Sequence, residues 1–236
     1  MARLRPVSIR EECCDLKTNE WIFFDLGCTL IDEQAQEDYI IREISSALAT
    51  LGFTHSIEEI RHLREEACKA YKHTLKDVIP PLVKTEEQYA FVRSKAVYLP
   101  EQEFLYPNVI KLLKDLSQKY NLGVIANQSA DAQDRMKKLN IHEYFSVFAI
   151  SDELGIKKPD VRIFNYALEQ AKCSPSQAYM VGDRLDFDIY PANMLGIRTI
   201  RVLQGTAKLQ KPKNSDYVPT MTIATIDGLR SLLSTN

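Results

Sequence analysis

The sequence predicts an α/β chain, a doubly wound parallel sheet core interrupted near its start by an inserted α-helical domain. Three observations carry that expectation. Short apolar runs alternate with amphipathic helical stretches from about residue 105 onward, the pattern of parallel strands joined by right-handed crossovers. A single strand-like run stands ahead of them at residues 21–24. The residues between carry helical periodicity alone. The expected organisation is an N-terminal extension (1–20), a core built from 21–32 and 105–236, and a helical domain at 33–104.

In chain order, Trp21-Ile-Phe-Phe is aromatic and β-branched, as a buried strand requires, and it delivers Asp25 where a loop begins. Ile41, Ile44, Leu48 and Leu51 then recur at helical spacing and Gly52 stops that helix. Ser56 with Glu59 forms a capping-box signature and opens a stripe that runs through Val78 to Pro80 and Pro81. Thr85 with Gln88 repeats the signature for a third helix, closed before Pro100. Pro107 is placed to start a helix, followed by a strand at Leu122–Ala126, a helix at Asp131–Asn140 and a strand at Val147–Ile150. Pro159 is expected to start the next helix, with strands at Ala178–Val181 and Thr199–Leu203 flanking a helix from Asp188 to Leu195 that Gly196 stops. Lys208–Ser215 reads as a solvated basic loop and Ile226–Leu233 as a terminal helix.

Bulk properties narrow the function classes. At 236 residues, 45% hydrophobic and 26% charged, the chain has ample material for such a core. A formal net charge of −2 provides no electrostatic footprint for nucleic acid or an anionic membrane. Residues 1–20 contain no apolar run long enough for a signal peptide or membrane span, so a cytoplasmic protein is expected. Five cysteines and four histidines form neither a C-x-x-C pair nor a zinc-type spacing, which reads as reduced thiols. No pattern fixes an oligomeric state.

Three features fall at strand ends, the edge where open α/β sheets bind ligands. Asp25 is the first, and Lys158 in Gly-Ile-Lys-Lys-Pro-Asp is the second. Met-Val-Gly-Asp-Arg-Leu-Asp-Phe-Asp is the third, with Asp183 at a strand end and Asp186 and Asp188 close behind. Carboxylates from neighbouring strands can share a hard cation such as Mg2+, and a lysine beside them offsets the charge of a phosphoryl group. The combination describes phosphoryl chemistry without a glycine-rich phosphate loop.

Phe-Asp-Leu-Gly-Cys-Thr-Leu, Val-Ile-Ala-Asn-Gln, Lys158 before Pro159, and Gly-Asp-Arg-Leu-Asp-Phe-Asp occur in that order between about Trp21 and Leu203. Together they resemble the four motifs of the haloacid dehalogenase superfamily, in the branch with a helical cap inserted after the first motif. The resemblance implies a Rossmann-like core and a two-step phosphatase acting on a small phosphorylated molecule. By the same resemblance Asp25 is the nucleophile, and Lys158 orients it and the phosphoryl group. Mg2+ is held by the Asp25 carboxylate, the Gly27 carbonyl and the Asp183 carboxylate. Asp188 holds the metal's water shell or Lys158, with Asp186 a lesser candidate. Backbone N–H groups around Leu26 and Asn127, and the Asn127 side chain, bind phosphoryl oxygens.

Two positions depart from the motifs. Gly27 stands where most of the family's phosphatases carry a second Asp as general acid and base, a group type that supplies about a hundred- to ten-thousand-fold in rate. Ala126 stands where a hydroxyl is usual; either Gln128 or Ser129 substitutes for it, or the contact is absent. Two other readings therefore stand beside the phosphatase. One is a metal-independent 2-haloacid dehalogenase, and the other a degenerate member that binds a ligand or partner. Tyr39, Arg42 and Tyr106 are candidates for facing the substrate.

Overall fold

The structure is a computed structural model that describes residues 18–72 and 74–233. Residues 1–17 of the expected N-terminal extension, with Cys13, Cys14 and His73, lie outside the described residues.

A six-stranded, wholly parallel sheet forms the centre, ordered β5-β4-β1-β6-β7-β8. Its strands are β1 (Trp21–Phe24), β4 (Asn121–Ala126), β5 (Val147–Ile150), β6 (Ala178–Gly182), β7 (Arg198–Val202) and β8 (Met221–Ile223). Ile22, Phe23 and Phe24 are fully buried because β1 is covered on both faces, which is why its sequence is continuously apolar rather than alternating. One face packs against α5 (Val109–Lys119), α6 (Ala132–Lys138) and a terminal 3-10 helix (Ile226–Leu233) through Leu112, Leu116, Met136 and Leu229. The other packs against α8 (Val161–Ala171) and α9 (Tyr190–Met194) through Ile163, Phe164, Ala167 and Ala192. Chain connections leave β1 toward β4 and β6 toward β7, in opposite directions, so the carboxyl ends of β1 and β6 flank the switch point where such sheets form a crevice.

Two short strands, β2 (Ile31–Asp32) and β3 (Phe104–Leu105), pair antiparallel and bracket the helical segment. Within it α1 (Gln34–Thr50), α2 (Ile57–Lys69), α3 (Thr74–Val78) and α4 (Glu86–Lys95) enclose a core of their own around Ile44, Leu48, Ile60, Ile79 and Val92. Both capping boxes form. The Glu59 N–H donates to Ser56 Oγ at 3.1 Å while the Ser56 N–H donates to Glu59 Oε2 at 2.7 Å, and Thr85 and Gln88 repeat the exchange. No helix among the described residues is long and apolar enough to cross a membrane.

Several element limits differ from the periodic reading. The stripe from Ser56 to Val78 is two helices, because α2 ends in a Schellman turn: the Lys72 N–H donates to the Ala67 carbonyl and Tyr71 takes the left-handed seat at φ 62°. With Tyr rather than Gly at that seat the stop carries no sequence signature. It is held instead from outside, where the Tyr71 hydroxyl donates to the Lys211 carbonyl at 2.6 Å. Pro159 and Pro107 precede their helices rather than starting them. Asp160 caps α8 by accepting the Arg162 N–H, and Asn108 at φ 66° precedes α5. The helix expected from Asp188 begins as a π-type turn, Leu185–Ile189, before α9.

The loop at 208–215 is only partly the solvated segment expected. Lys208, Lys211 and Lys213 are exposed, but Gln210 is buried and ties together the Leu185 N–H, the Cys68 carbonyl and Asp186. Lys213 Nζ lies 3.9 Å from the Tyr71 ring centroid. The loop thereby holds α2 over the sheet edge.

Candidate active site

Asp25 follows β1 directly, its N–H donating to the Val181 carbonyl at 2.9 Å, so the strand ladder fixes where its side chain emerges. A tight turn follows in which the N–H groups of Thr29, Leu30 and Ile31 converge on the Leu26 carbonyl. Among the described residues nothing donates to the Gly27 carbonyl, and neither the Leu26 nor the Asn127 N–H has a protein acceptor. These are the backbone groups available to a cation and to an oxyanion.

Asp183 and Asp188 come from the end of β6 and the π-type turn. Gly182 makes their arrangement possible, since a Cβ there would fall inside the Asp188 side chain. Asp25, Asp183 and Asp188 each present a carboxylate oxygen within 4.8 Å of the others. Lys158, itself 2% exposed, donates from Nζ to Asp25 Oδ1 at 2.7 Å and to Asp188 Oδ1 at 2.5 Å. Asp188 Oδ2 accepts the Arg184 N–H at 3.0 Å.

The electrostatics follow from burial and crowding. Burial pushes the Asp183 carboxyl well above the usual carboxylate range, with the Asp188 and Asp25 charges adding to it. Burial also raises Asp188, to about 6, against the opposing pull of Lys158. Burial works against the Lys158 ammonium, but Asp188 and Asp25 outweigh it and raise its pKa. Three acids and one lysine leave an excess of negative charge, and no donor among the described residues reaches the 4%-exposed Asp183 carboxylate. A buried carboxylate with no hydrogen bond calls for a cation. The oxygen-only donor set suits Mg2+.

The remaining sequence candidates take definite places. Asn127 has both side-chain polar atoms on the Lys158 backbone, accepting its N–H at 2.7 Å and donating to its carbonyl at 2.9 Å. Its side chain therefore positions Lys158, and only its N–H is left for a ligand. Asp186 turns away to a two-point pair with Arg184. Ser129 is engaged with Asp131 and Arg135. Gln128 gives its Oε1 to Arg135 at 2.7 Å and lines the cleft, and among the described residues its amide nitrogen has no protein acceptor. Tyr106 lines only a neighbouring cavity, and Tyr39 and Arg42 line neither.

The cleft over the acids holds about 430 Å³. Its lining also contains residues absent from the sequence candidates, among them Glu33, Glu37, Arg64 and Cys68 from the helical segment, with Thr206 from the loop after β7. Arg64 and Glu37 form an ion pair, and Thr206 Oγ1 donates to Glu37 Oε2 at 3.1 Å. Burial, reinforced by the Asp25, Glu37 and Glu103 charges, pushes the Glu33 carboxyl up to about 7. Glu33 had one signal in the chain: it lies only eight residues after Asp25, across a turn too short to carry it far from the strand end.

The haloacid dehalogenase-like hydrolase family matches residues 22–202. The chain belongs to that family.

The glyceraldehyde 3-phosphate phosphatase of Methanopyrus kandleri is 30% identical over 218 residues, covering 86% of this chain and 91% of that protein. The HAD-hydrolase YfnB from Bacillus subtilis, solved bound to magnesium, superposes with a TM-score of 0.68 at 20% identity, covering 91% of this chain and 98% of that one. A 2-haloacid dehalogenase from Pseudomonas syringae pv. Tomato DC3000 superposes with a TM-score of 0.58 at 25% identity over 91% of this chain and 98% of that one. One fold thus carries at least two chemistries within the haloacid dehalogenase-like hydrolases, and site residues have to separate them.

Proposed function

We propose that this haloacid dehalogenase-like hydrolase is a Mg2+-dependent phosphatase acting on a small phosphorylated molecule through an aspartyl-phosphate on Asp25. The observation that carries the reading is the cluster of Asp25 with the buried Asp183 and Asp188, with Lys158 between two of them and Asp183 without a donor among the described residues. A carbon-halogen hydrolase needs the nucleophile but has no use for an excess of buried negative charge, so the trio favours phosphoryl transfer.

Asp25, Asp183 and the Gly27 carbonyl would hold Mg2+, which when bound neutralises charge on the phosphoryl oxygens. Asp188, with both oxygens engaged by Lys158 and the Arg184 N–H, serves mainly to fix Lys158. Lys158 holds the Asp25 carboxylate in place through one oxygen, leaving the other uncommitted, and places a positive charge beside it. The free Asp25 oxygen forms a bond to phosphorus as the ester P–O bond breaks. The Leu26 and Asn127 N–H groups and the Gln128 amide nitrogen donate to the phosphoryl oxygens, with Gln128 taking the part of the hydroxyl absent at Ala126. Water then attacks phosphorus, releasing inorganic phosphate and restoring Asp25.

We place the helical segment at 33–104 as the cap, since Glu37, Arg64 and Cys68 close the cleft from above. A cleft of about 430 Å³ suits a compact monoester. Glyceraldehyde 3-phosphate, the substrate in the name of the Methanopyrus kandleri relative, is the first to assay. Phosphate release should require Mg2+ and stop in EDTA; release unaffected by EDTA would remove the metal from the account. Independently of turnover, Mg2+ at about a hundred times its Kd should stabilise the wild type by about 2.7 kcal/mol. Read as a thermal shift, that gain should be largely lost in Asp183→Asn, and an equal shift in the variant would place the metal elsewhere.

A further inference from the structure

The absent carboxylate at residue 27 has a structural counterpart. A Cβ built on Gly27 would stand 2.5 Å from Glu33 Oε1, 2.9 Å from its Cδ and 3.1 Å from Oε2. The Glu33 carboxyl group thus fills the space into which a side chain at residue 27 would project. It comes from the residue preceding α1, and it lines the same cavity as Asp25 and Lys158.

Among the described residues the Glu33 carboxyl group is engaged only weakly. Glu33 occupies the N-cap position of α1 but makes no side-chain cap bond, and no salt bridge includes it among the described residues. Its one side-chain hydrogen bond is a weak one, from the Cys28 thiol to Oε2 at 3.7 Å. By contrast its neighbour Glu37 is spent on Arg64 and Thr206. Only the Glu33 backbone is committed, its carbonyl accepting the Glu37 N–H at 2.8 Å as the first turn of α1 closes.

We propose that Glu33 is the proton donor to the leaving group and, in the second half-reaction, the base for the attacking water, replacing in space the acid that residue 27 does not provide. The proposal rests on the phosphatase reading above. As the Asp25–phosphorus bond forms and the ester P–O bond breaks, the leaving oxygen takes the Glu33 proton and departs as an alcohol. Glu33, now a carboxylate, then accepts a proton from the water whose oxygen attacks phosphorus; the Asp25–phosphorus bond breaks and inorganic phosphate leaves. Gly27 is then required for room, and Gly27→Asp alone would push against Glu33 rather than add a second acid.

The test compares kcat/KM, which reads the first half-reaction, for glyceraldehyde 3-phosphate, 4-nitrophenyl phosphate and acetyl phosphate. Glu33→Gln should lower the alkyl ester about 10²- to 10⁴-fold. The other two, whose leaving groups need no proton, should change by less than about tenfold, which also shows that the variant is folded. Gly27→Asp combined with Glu33→Ala should recover most of the alkyl activity lost in Glu33→Ala. Equal loss on all three substrates, no loss on any, or no recovery in the double variant overturns the assignment while leaving the phosphatase standing. Wild type no better than Asp25→Asn on every substrate removes the phosphatase reading, and the Glu33 role with it.

Discussion

Asp25→Asn is expected to reduce phosphate release by on the order of 10⁴-fold or more on every substrate, because it removes the oxygen proposed to attack phosphorus. The loss should fall on kcat. The fold should persist, since an Asn carbonyl oxygen can still accept the Lys158 Nζ bond now made at 2.7 Å and Asp188 still holds the ammonium at 2.5 Å. Circular dichroism and thermal melting close to wild type, together with the lost turnover, would assign the effect to chemistry. Residual activity within about tenfold of wild type would mean that another group attacks phosphorus, since a lost nucleophile costs far more than that.

Lys158→Ala should damage both activity and stability. Lys158 is the cation that touches two of three clustered carboxylates. Breaking a buried pair by removing one partner costs about 3–5 kcal/mol. For a chain of this size that is a fall in Tm of about 6–20 °C. Turnover should fall by roughly 10³-fold, the scale of losing one preorganised electrostatic contact to the reacting group. Lys158→Arg should not restore it, because a planar guanidinium does not fit a site built around a compact ammonium. Added Mg2+ should recover more Tm in the alanine variant than in the wild type, since the excess negative charge is larger. A variant with unchanged Tm in EDTA would show that the acids need no cation.

The sheet, its parallel sense and the two capping boxes are legible in the chain because each is written locally, as apolar runs, as alternation with helices and as Ser56–Glu59 and Thr85–Gln88. Asp25, Lys158, Asp183 and Asp188 are legible for a related reason: each sits at a strand end or in the turn after it, and the topology brings those ends to one edge. What escapes is whatever depends on contacts distant in sequence. The break at Tyr71 depends on Lys211, the burial of Gln210 on Cys68, and β8 is too short to carry a pattern. Asn127 was legible as a site residue but not in its task, because nothing local says that its side chain will clamp the Lys158 backbone. In the chain Glu33 marks only the boundary of the helical domain. Its relation to Gly27 exists in three dimensions, as a carboxyl group filling the room that the missing side chain leaves.

The most direct test of the central claim is to trap the covalent intermediate. Enzyme turning over an excess of acetyl phosphate with Mg2+ is quenched in acid, reduced with borohydride to convert an acyl phosphate to homoserine, and digested for peptide mass spectrometry. Homoserine is expected in place of Asp25, dependent on substrate and on Mg2+, and absent in Asp25→Asn. Phosphate release with Asp25 unmodified, or with the modification on another carboxylate, would contradict the claim.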